Sequence, residues 1–289
     1  QPTLFGKNAI AGAVNITTAG PTEDARASLT AEYEAEANER VLAGYVSGPL
    51  TETLRGRLAA RVSRNDGYLF NTLTNRDERT SEDALIRASV EWEPSDTLLV
   101  NAKYEHGKVT RTGAPFQLIS FGNYKNVLTA FDPRIEDRLD LQSSSGRFYD
   151  DAEEIQSDNF ALEVRKDLGE FVLTAVTGYS AFDTRQTNDS DFTSIPLIAY
   201  KQSEEFRQFS QEFRLDSPVS DRFEYTLGAF YQRGTYSIDP EMNVDGSLLG
   251  TVKVGSQRTF DQTSTIWSAF AEGKWHLNDA VTVVGGLRY

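Results

Sequence analysis

No cysteine occurs in the 289 residues. That absence removes disulfide frameworks, thiolate metal sites and cysteine nucleophiles together. Histidine occurs only twice, as His106 and His276, and neither has an H-x-x-x-H partner that would begin a zinc site. No G-x-S-x-G elbow, P-loop or dinucleotide glycine run after a strand is found. The chain is therefore read as a non-enzyme: no catalytic residue, cofactor or metal ligand is assigned, and none for substrate. Positive charge is also scarce, with 29 Lys and Arg against 43 Asp and Glu, a net charge of −14. Nucleic acid is excluded as a partner, because its affinity rests on cations that neutralise phosphates. Finally, no apolar run approaches the ~18 residues that mark a membrane helix.

What the sequence does contain is alternation. In "ARASLTAEYEA", Ala25, Ala27, Leu29, Ala31 and Tyr33 share one parity, and Arg26, Ser28, Thr30, Glu32 and Glu34 the other. Period two describes a strand with one apolar and one polar face. About eleven such segments follow one another, near 25–35, 40–50, 54–64, 83–93, 97–107, 157–168, 170–182, 204–216, 222–235, 263–276 and 280–289. They are long against the usual five or six residues of soluble strands. No comparable stretch has a 3.6 period.

The connections are uneven. "GPLTET", "EPSDT", "DLGE", "DSPVSDR" and "LNDA" are tight turns rich in Gly, Pro, Asp, Asn and Ser. Between them lie long polar stretches near 65–82, 108–156, 183–203 and 236–262. Short turns at one end and long loops at the other describe a transmembrane barrel. Aromatics add a second sign. Phe171 and Tyr179, Phe223 and Tyr231, and Trp267 and Trp275 are pairs of one parity, eight residues apart. Eight steps of a tilted strand rise roughly 20 Å, close to the ~25 Å apolar band that aromatic girdles flank. The predicted fold is all-β: a transmembrane, antiparallel, up-and-down β-barrel. Strands half polar along their length suit a wet lumen, and closure removes the edges that hydrocarbon would not tolerate.

The opening stretch "LFGKNAIAGAVNITT" then becomes specific, through Leu4, Phe5, Gly6, Asn8, Ala9, Gly12, Val14, Asn15 and Ile16. It resembles the segment that ends the plug domain of TonB-dependent outer-membrane receptors. "FRQFSQEFRLDSP", 206–218, looks like that family's mid-barrel strand and its periplasmic turn, and "WSAFAEGKWHLNDAVTVVGGLRY", 267–289, like a later hairpin. The resemblance implies a plugged barrel of about 22 strands. The eleven strands here are half of that, so the expectation is a fragment: residues 1–20 as the C-terminal end of the plug, 21–289 as the N-terminal half of the barrel. It further implies active import across the bacterial outer membrane of a scarce ligand, a ferric siderophore foremost. The implied partners are the TonB energy-coupling complex, reached through the part upstream, and outer-membrane lipid. A passive porin-type channel and a soluble β-rich binding or adhesion protein remain as alternatives. A half barrel leaves two sheet edges and a lipid-facing surface bare, so this piece is not expected to fold alone.

Several residues carry open readings. Arg55, Arg57 and Arg61 share the polar parity and would either pair with plug carboxylates, guide an anionic ligand or line a solvated lumen. "Asp150-Asp151-Ala152-Glu153-Glu154" is either a Ca²⁺ ligand set or, more simply, part of a solvated acidic loop, since it lacks the D-x-D-x-D-G spacing. Phe116, Phe121, Tyr124, Phe131, Phe148 and Tyr149 in the longest loop would contact ligand or pack the loop on itself. Gly6 and Gly12 are read as turn glycines rather than a seat against the wall.

Overall fold

A computed structural model of the chain describes residues 17–114, 116–135, 137–145, 151–195, 197–220, 222–247 and 250–289. The quoted plug-like stretch up to Ile16, with Gly6 and Gly12, lies outside the described residues, as do Arg147, Phe148, Tyr149 and Asp150. The strands are β1 (Arg26–Glu34), β2 (Glu39–Pro49), β3 (Leu54–Asn65), β4 (Leu69–Asn71), β5 (Arg76–Glu78), β6 (Thr80–Ser95), β7 (Leu98–Thr112) and β8 (Gln142–Ser143), then β9 (Ala152–Leu168), β10 (Phe171–Asp189), β11 (Ile198–Asp216), β12 (Phe223–Asp245), β13 (Lys253–Gln257), β14 (Phe260–Asn278) and β15 (Val281–Arg288). Twelve of them form one sheet: eleven follow the order β1-β2-β3-β6-β7-β9-β10-β11-β12-β14-β15, with every step antiparallel, and β13 pairs with β12 off that path. These eleven are the eleven alternating segments of the sequence, in the same order, with β1 and β15 at the two edges. One short helix, α1 (Lys125–Phe131), sits in the longest connection.

Register keeps the two faces separate across the whole sheet, because directly paired residues point the same way. One path along the apolar face runs Val46, Leu58, Ala88, Tyr104, Phe160, Tyr179 and Phe209, each opposite the next. The aromatic pairs are in register too: Tyr231 faces Trp267, and eight residues below, Phe223 faces Trp275. Side chains of these rows are largely exposed; Leu29 is 77% and Trp267 71% exposed. On the other face the register stacks Arg57 opposite Ser89, Arg55 opposite Glu91 and Arg87 opposite Glu105.

The strands are longer than the alternation suggests. β10, β11 and β14 have 19 residues each and β12 has 23. Thr184–Asp189, Ile198–Ser203 and Tyr236–Asp245 belong to the sheet although sequence reading leaves them in polar connections. Beyond the upper aromatic row the outward face turns charged and polar while aromatics and amides share the inward one, so the alternation that reveals a strand disappears while the hydrogen-bond ladder continues.

The interior of the molecule is at the long-loop end. β4, β5 and β8 make a second small sheet, order β5-β4-β8, with β4 and β8 parallel. Around it the connections 66–79, 113–145 and 190–197 pack together. Leu69, Asn71, Ala114, Asp132, Ile135, Ser143, Ser144, Ser145, Thr193, Ser194 and Ile195 are buried there. In the large sheet few side chains are, Phe270 and Ala181 among them.

Candidate ligand-capture site

The cap is held largely by short polar side chains, alongside the few buried apolar residues Leu69, Ala114, Ile135 and Ile195. Asn71, with no exposed surface, donates through Nδ2 to Glu78 Oε1 at 2.6 Å and to the Ser145 carbonyl at 2.7 Å. Its Oδ1 accepts from the backbone N–H of Leu73 at 2.8 Å and Thr74 at 3.2 Å, closing the β4–β5 hairpin. One amide thus fastens the 66–79 loop to the end of the 113–145 loop. Gly67, at φ +95°, passes so close to the Glu78 carbonyl that a Cβ would collide with it. Gly113, at φ +90°, turns the chain out of β7 while its N–H donates to the Asp151 carbonyl at 2.8 Å. Both positions need the left-handed freedom of glycine.

Carboxylates are woven into this cap in two ways. Asp132 accepts from Arg134 Nε at 2.9 Å and Nη2 at 2.7 Å and from the Ser194 hydroxyl. The Arg134 guanidinium holds its carboxyl well below the usual range. Burial instead pushes Glu78 up, against hydrogen bonds from Asn71, Ala114 and Ser143. Burial likewise raises Asp191, whose oxygens take the N–H groups of Thr193, Leu197 and Ile198. On the outermost surface, turn 35–38 and the two neighbouring loops border an open groove of about 450 Å³. Asp66, Asp77 and Asp140 line it beside Tyr68 and Phe70. Beyond it, Phe116, Tyr124, Phe131 and Leu139 stand exposed on the longest loop.

Residues 110–289 match the family model described as TonB dependent receptor-like, beta-barrel. The chain belongs to this family. The family is one of transport receptors rather than enzymes, and places the chain in the bacterial outer membrane. Its long loops therefore face outward and its short turns the periplasm. Among solved structures, it resembles the ferric yersiniabactin uptake receptor FyuA from Yersinia pestis over 100% of this chain and 42% of that one, at 18% identity and TM-score 0.79. The ferripyoverdine receptor of the outer membrane of Pseudomonas aeruginosa matches over 93% of this chain and 37% of its own, at 13% identity and TM-score 0.65. A mutant of the ferric enterobactin receptor PfeA from the same organism matches over 99% and 42%, at 15% identity and TM-score 0.64. The chain thus spans about two fifths of the length of the receptors it matches. At these identities the likeness establishes the fold.

The open readings can now be placed in a receptor wall. Arg55, Arg57 and Arg61 do share the lumen face. Arg55 pairs with Glu91 at 2.9 Å and with Glu93, and Arg57 lies 3.7 Å over the Tyr45 ring. Arg61 donates to Ser63 Oγ at 2.9 Å and stands 4.0 Å from Glu39. The carboxylates come from the wall itself. Over its described residues, 151–154, the acidic run leads into a strand rather than forming a solvated loop. Asp151 is buried, and from Ala152 onward the chain is strand β9. Glu153 and Glu154 therefore point to opposite faces, toward Arg111 and Arg79, and toward Lys108. Among the described residues no group of three metal-binding side chains exists. His106 lies on the outward-facing parity above the aromatic row, 2.9 Å from Asp158, and His276 near the periplasmic turn contacts Thr282 and Glu224. In the longest loop, Phe116 packs edge-on against Phe192 of the next loop, 6.1 Å between centroids. Sequence reading missed the cap altogether: Asn71, Asp132 and Asp191 look like any loop Asx residue. Their one local signal is a spacing to backbone N–H groups two or three residues on.

Proposed function

We propose that this chain is part of a TonB-dependent importer of a scarce ligand, a ferric siderophore foremost. In this reading residues 1–20 end the plug and 21–289 form the first half of the barrel wall. The outer loops and the inner wall gather ligand. A TonB partner, acting through the plug, releases it along the lumen, and no covalent chemistry is required. The observation that carries the reading is the eleven-strand antiparallel path, apolar on one face and charged on the other, surmounted by an ordered polar cap. A cap locked by Asn71 and Asp132 fixes exposed aromatics and an acidic groove at the mouth, where capture would occur. The ferric uptake receptors among the structural neighbours support iron chelates as the ligand class.

The test is a deletion of the parent gene, complemented with and without a functional TonB system, followed by growth and iron uptake on single iron chelates. Uptake that needs both gene and TonB supports the proposal. Equal uptake without TonB would make the barrel a passive channel.

A further inference from the structure

Above the upper aromatic row, the walls of β10, β11, β12 and β14 rise clear of lipid, and their two faces differ in charge. The lumen-facing positions, opposite in parity to Tyr179, Phe209, Tyr231 and Trp267, include Phe182, Tyr200, Glu204, Phe206, Tyr236 and Phe260. Register joins them: Phe182 faces Phe206, Phe206 faces Tyr236, Glu204 faces Ile238, and Ile238 faces Phe260. Phe182 and Phe206 stack with centroids 5.2 Å apart, and Tyr236 and Phe260 lie 6.5 Å apart. The remaining inward positions are mostly amides, hydroxyls and apolar groups, among them Gln186, Gln202, Gln208, Gln232 and Gln262. Along these described strands the inner face above the belt holds no Lys or Arg, and its single charge is Glu204. Their cations at this height, Arg185, Lys201, Arg207 and Arg233, all have the outward parity. Glu204 accepts from the Gln202 amide, which in turn takes the Tyr200 hydroxyl.

Among the described residues, several cations elsewhere near the mouth already have carboxylate partners. Arg87 is taken by Glu105, Arg111 by Glu153, Lys125 by Asp137 and Arg134 by Asp132. Aromatic faces carry negative quadrupoles, and a carboxylate among them in a walled space focuses the attraction for a cation. The same wall repels a polyanion and gives it no donor of charge-assisted hydrogen bonds.

We propose that this inner wall is a specificity surface for a ligand of net positive charge with planar or aliphatic arms, and that Glu204 is its electrostatic anchor. The proposal rests on the importer reading above and narrows it: polyanionic ferric tricatecholates would be poor ligands. The experiment uses the whole receptor, purified and also expressed in a strain lacking its own chelate receptors. The probes are three ferric complexes: cationic ferrioxamine B, uncharged ferrichrome and anionic ferric enterobactin. Binding at least about tenfold tighter for the cationic than for the anionic probe is expected. Glu204→Gln should weaken the cationic probe by about tenfold and leave the uncharged one within about twofold, with the barrel's heat-modifiable gel mobility unchanged. Tighter binding of the anionic probe overturns the proposal, as does an equal loss for all three on Glu204→Gln; in both cases the importer reading survives. If TonB-dependent uptake fails for every iron chelate tried, the importer reading falls first and takes this inference with it.

Discussion

The wall below the aromatic row and the cap above it are made by opposite rules. In the wall, Leu29, Val62, Phe213 and Trp275 are large, apolar and exposed. In the cap, Asn71, Ser144, Thr193 and Ser194 are small, polar and buried. The difference shows where each region finds its partner. Lipid covers the wall's apolar face, so its side chains need only point outward, and the backbone is satisfied strand to strand. The cap stands in water and has little apolar material. It is ordered largely by hydrogen bonds whose loss is costly, since a buried polar group left unpaired costs about 1–3 kcal/mol. The wall should therefore be sensitive to charge on one parity, and the cap to the loss of single polar atoms.

The largest effect should follow from ignoring the wall's parity. Ala175, between Phe171 and Tyr179, lies on the lipid face beside Val164 and Phe213. Ala175→Arg should destabilise the intact barrel by about 2–4 kcal/mol in lipid vesicles. One residue on, Val176→Arg enters the lumen between Glu163 and Glu212 and should cost little. Unfolding by denaturant in vesicles compares the two, and equal losses would break the assignment of faces. For the same reason residues 1–289 expressed alone should not give a soluble, monodisperse monomer by size exclusion.

The next effect belongs to the cap. Asn71→Ala removes four hydrogen bonds and leaves a Glu78 oxygen without its closest donor. A local loss of about 2–3 kcal/mol is expected. Amide exchange should accelerate in 69–78 and 142–145 and stay unchanged in β9 and β10. If the wall accelerates equally, cap and wall are one cooperative unit and the contrast fails.

A smaller effect tests packing inside the lumen. Gly228 lies directly opposite Phe270, whose ring covers it and would collide with any Cβ. Gly228→Ala should cost about 1–3 kcal/mol, much of it recovered when Phe270→Leu is added. Failure of the second change to recover any stability would point to backbone freedom rather than the ring.

The smallest effect is in pH. Glu78 and Asp191 are raised above their ordinary values of 4.5 and 3.8 by burial. The folded cap then holds more protons than the unfolded one just above those values, so its stability rises as pH falls from neutral into that window. Asp132 has the opposite sign: its contribution is present above 3.8 and is lost as pH falls further. Cap opening, followed by amide exchange, should be slowest in mildly acid solution. A steady rise in opening from neutral downward would show that Asp132 alone governs it.

How much could be read from the sequence follows the same division. All eleven wall strands were visible, because lipid on one side and water on the other impose a strict alternation, as in Ala84, Ile86, Ala88, Val90 and Trp92. Their outer extensions were not: at Thr184–Asp189 and Tyr236–Asp245 water lies on both faces and no alternation is required. β4, β5, β8 and β13, of two to five residues, are too short to show a period. The candidate sites fared alike. Which face Arg55, Arg57 and Arg61 occupy was legible, but that Glu91, Glu93 and Tyr45 occupy them was not, since those partners lie on other strands.

By itself, the sequence determined the eleven long wall strands, which face each residue of their alternating stretches takes and the height of the aromatic rows, because each is a local consequence of a two-residue repeat against a slab of fixed thickness. Only the tertiary structure decided which loops meet, which carboxylates are buried and which cations are already neutralised. Those contacts join residues far apart in the chain, such as Asn71 with Ser145 and Asp132 with Ser194, and no period along the sequence records them.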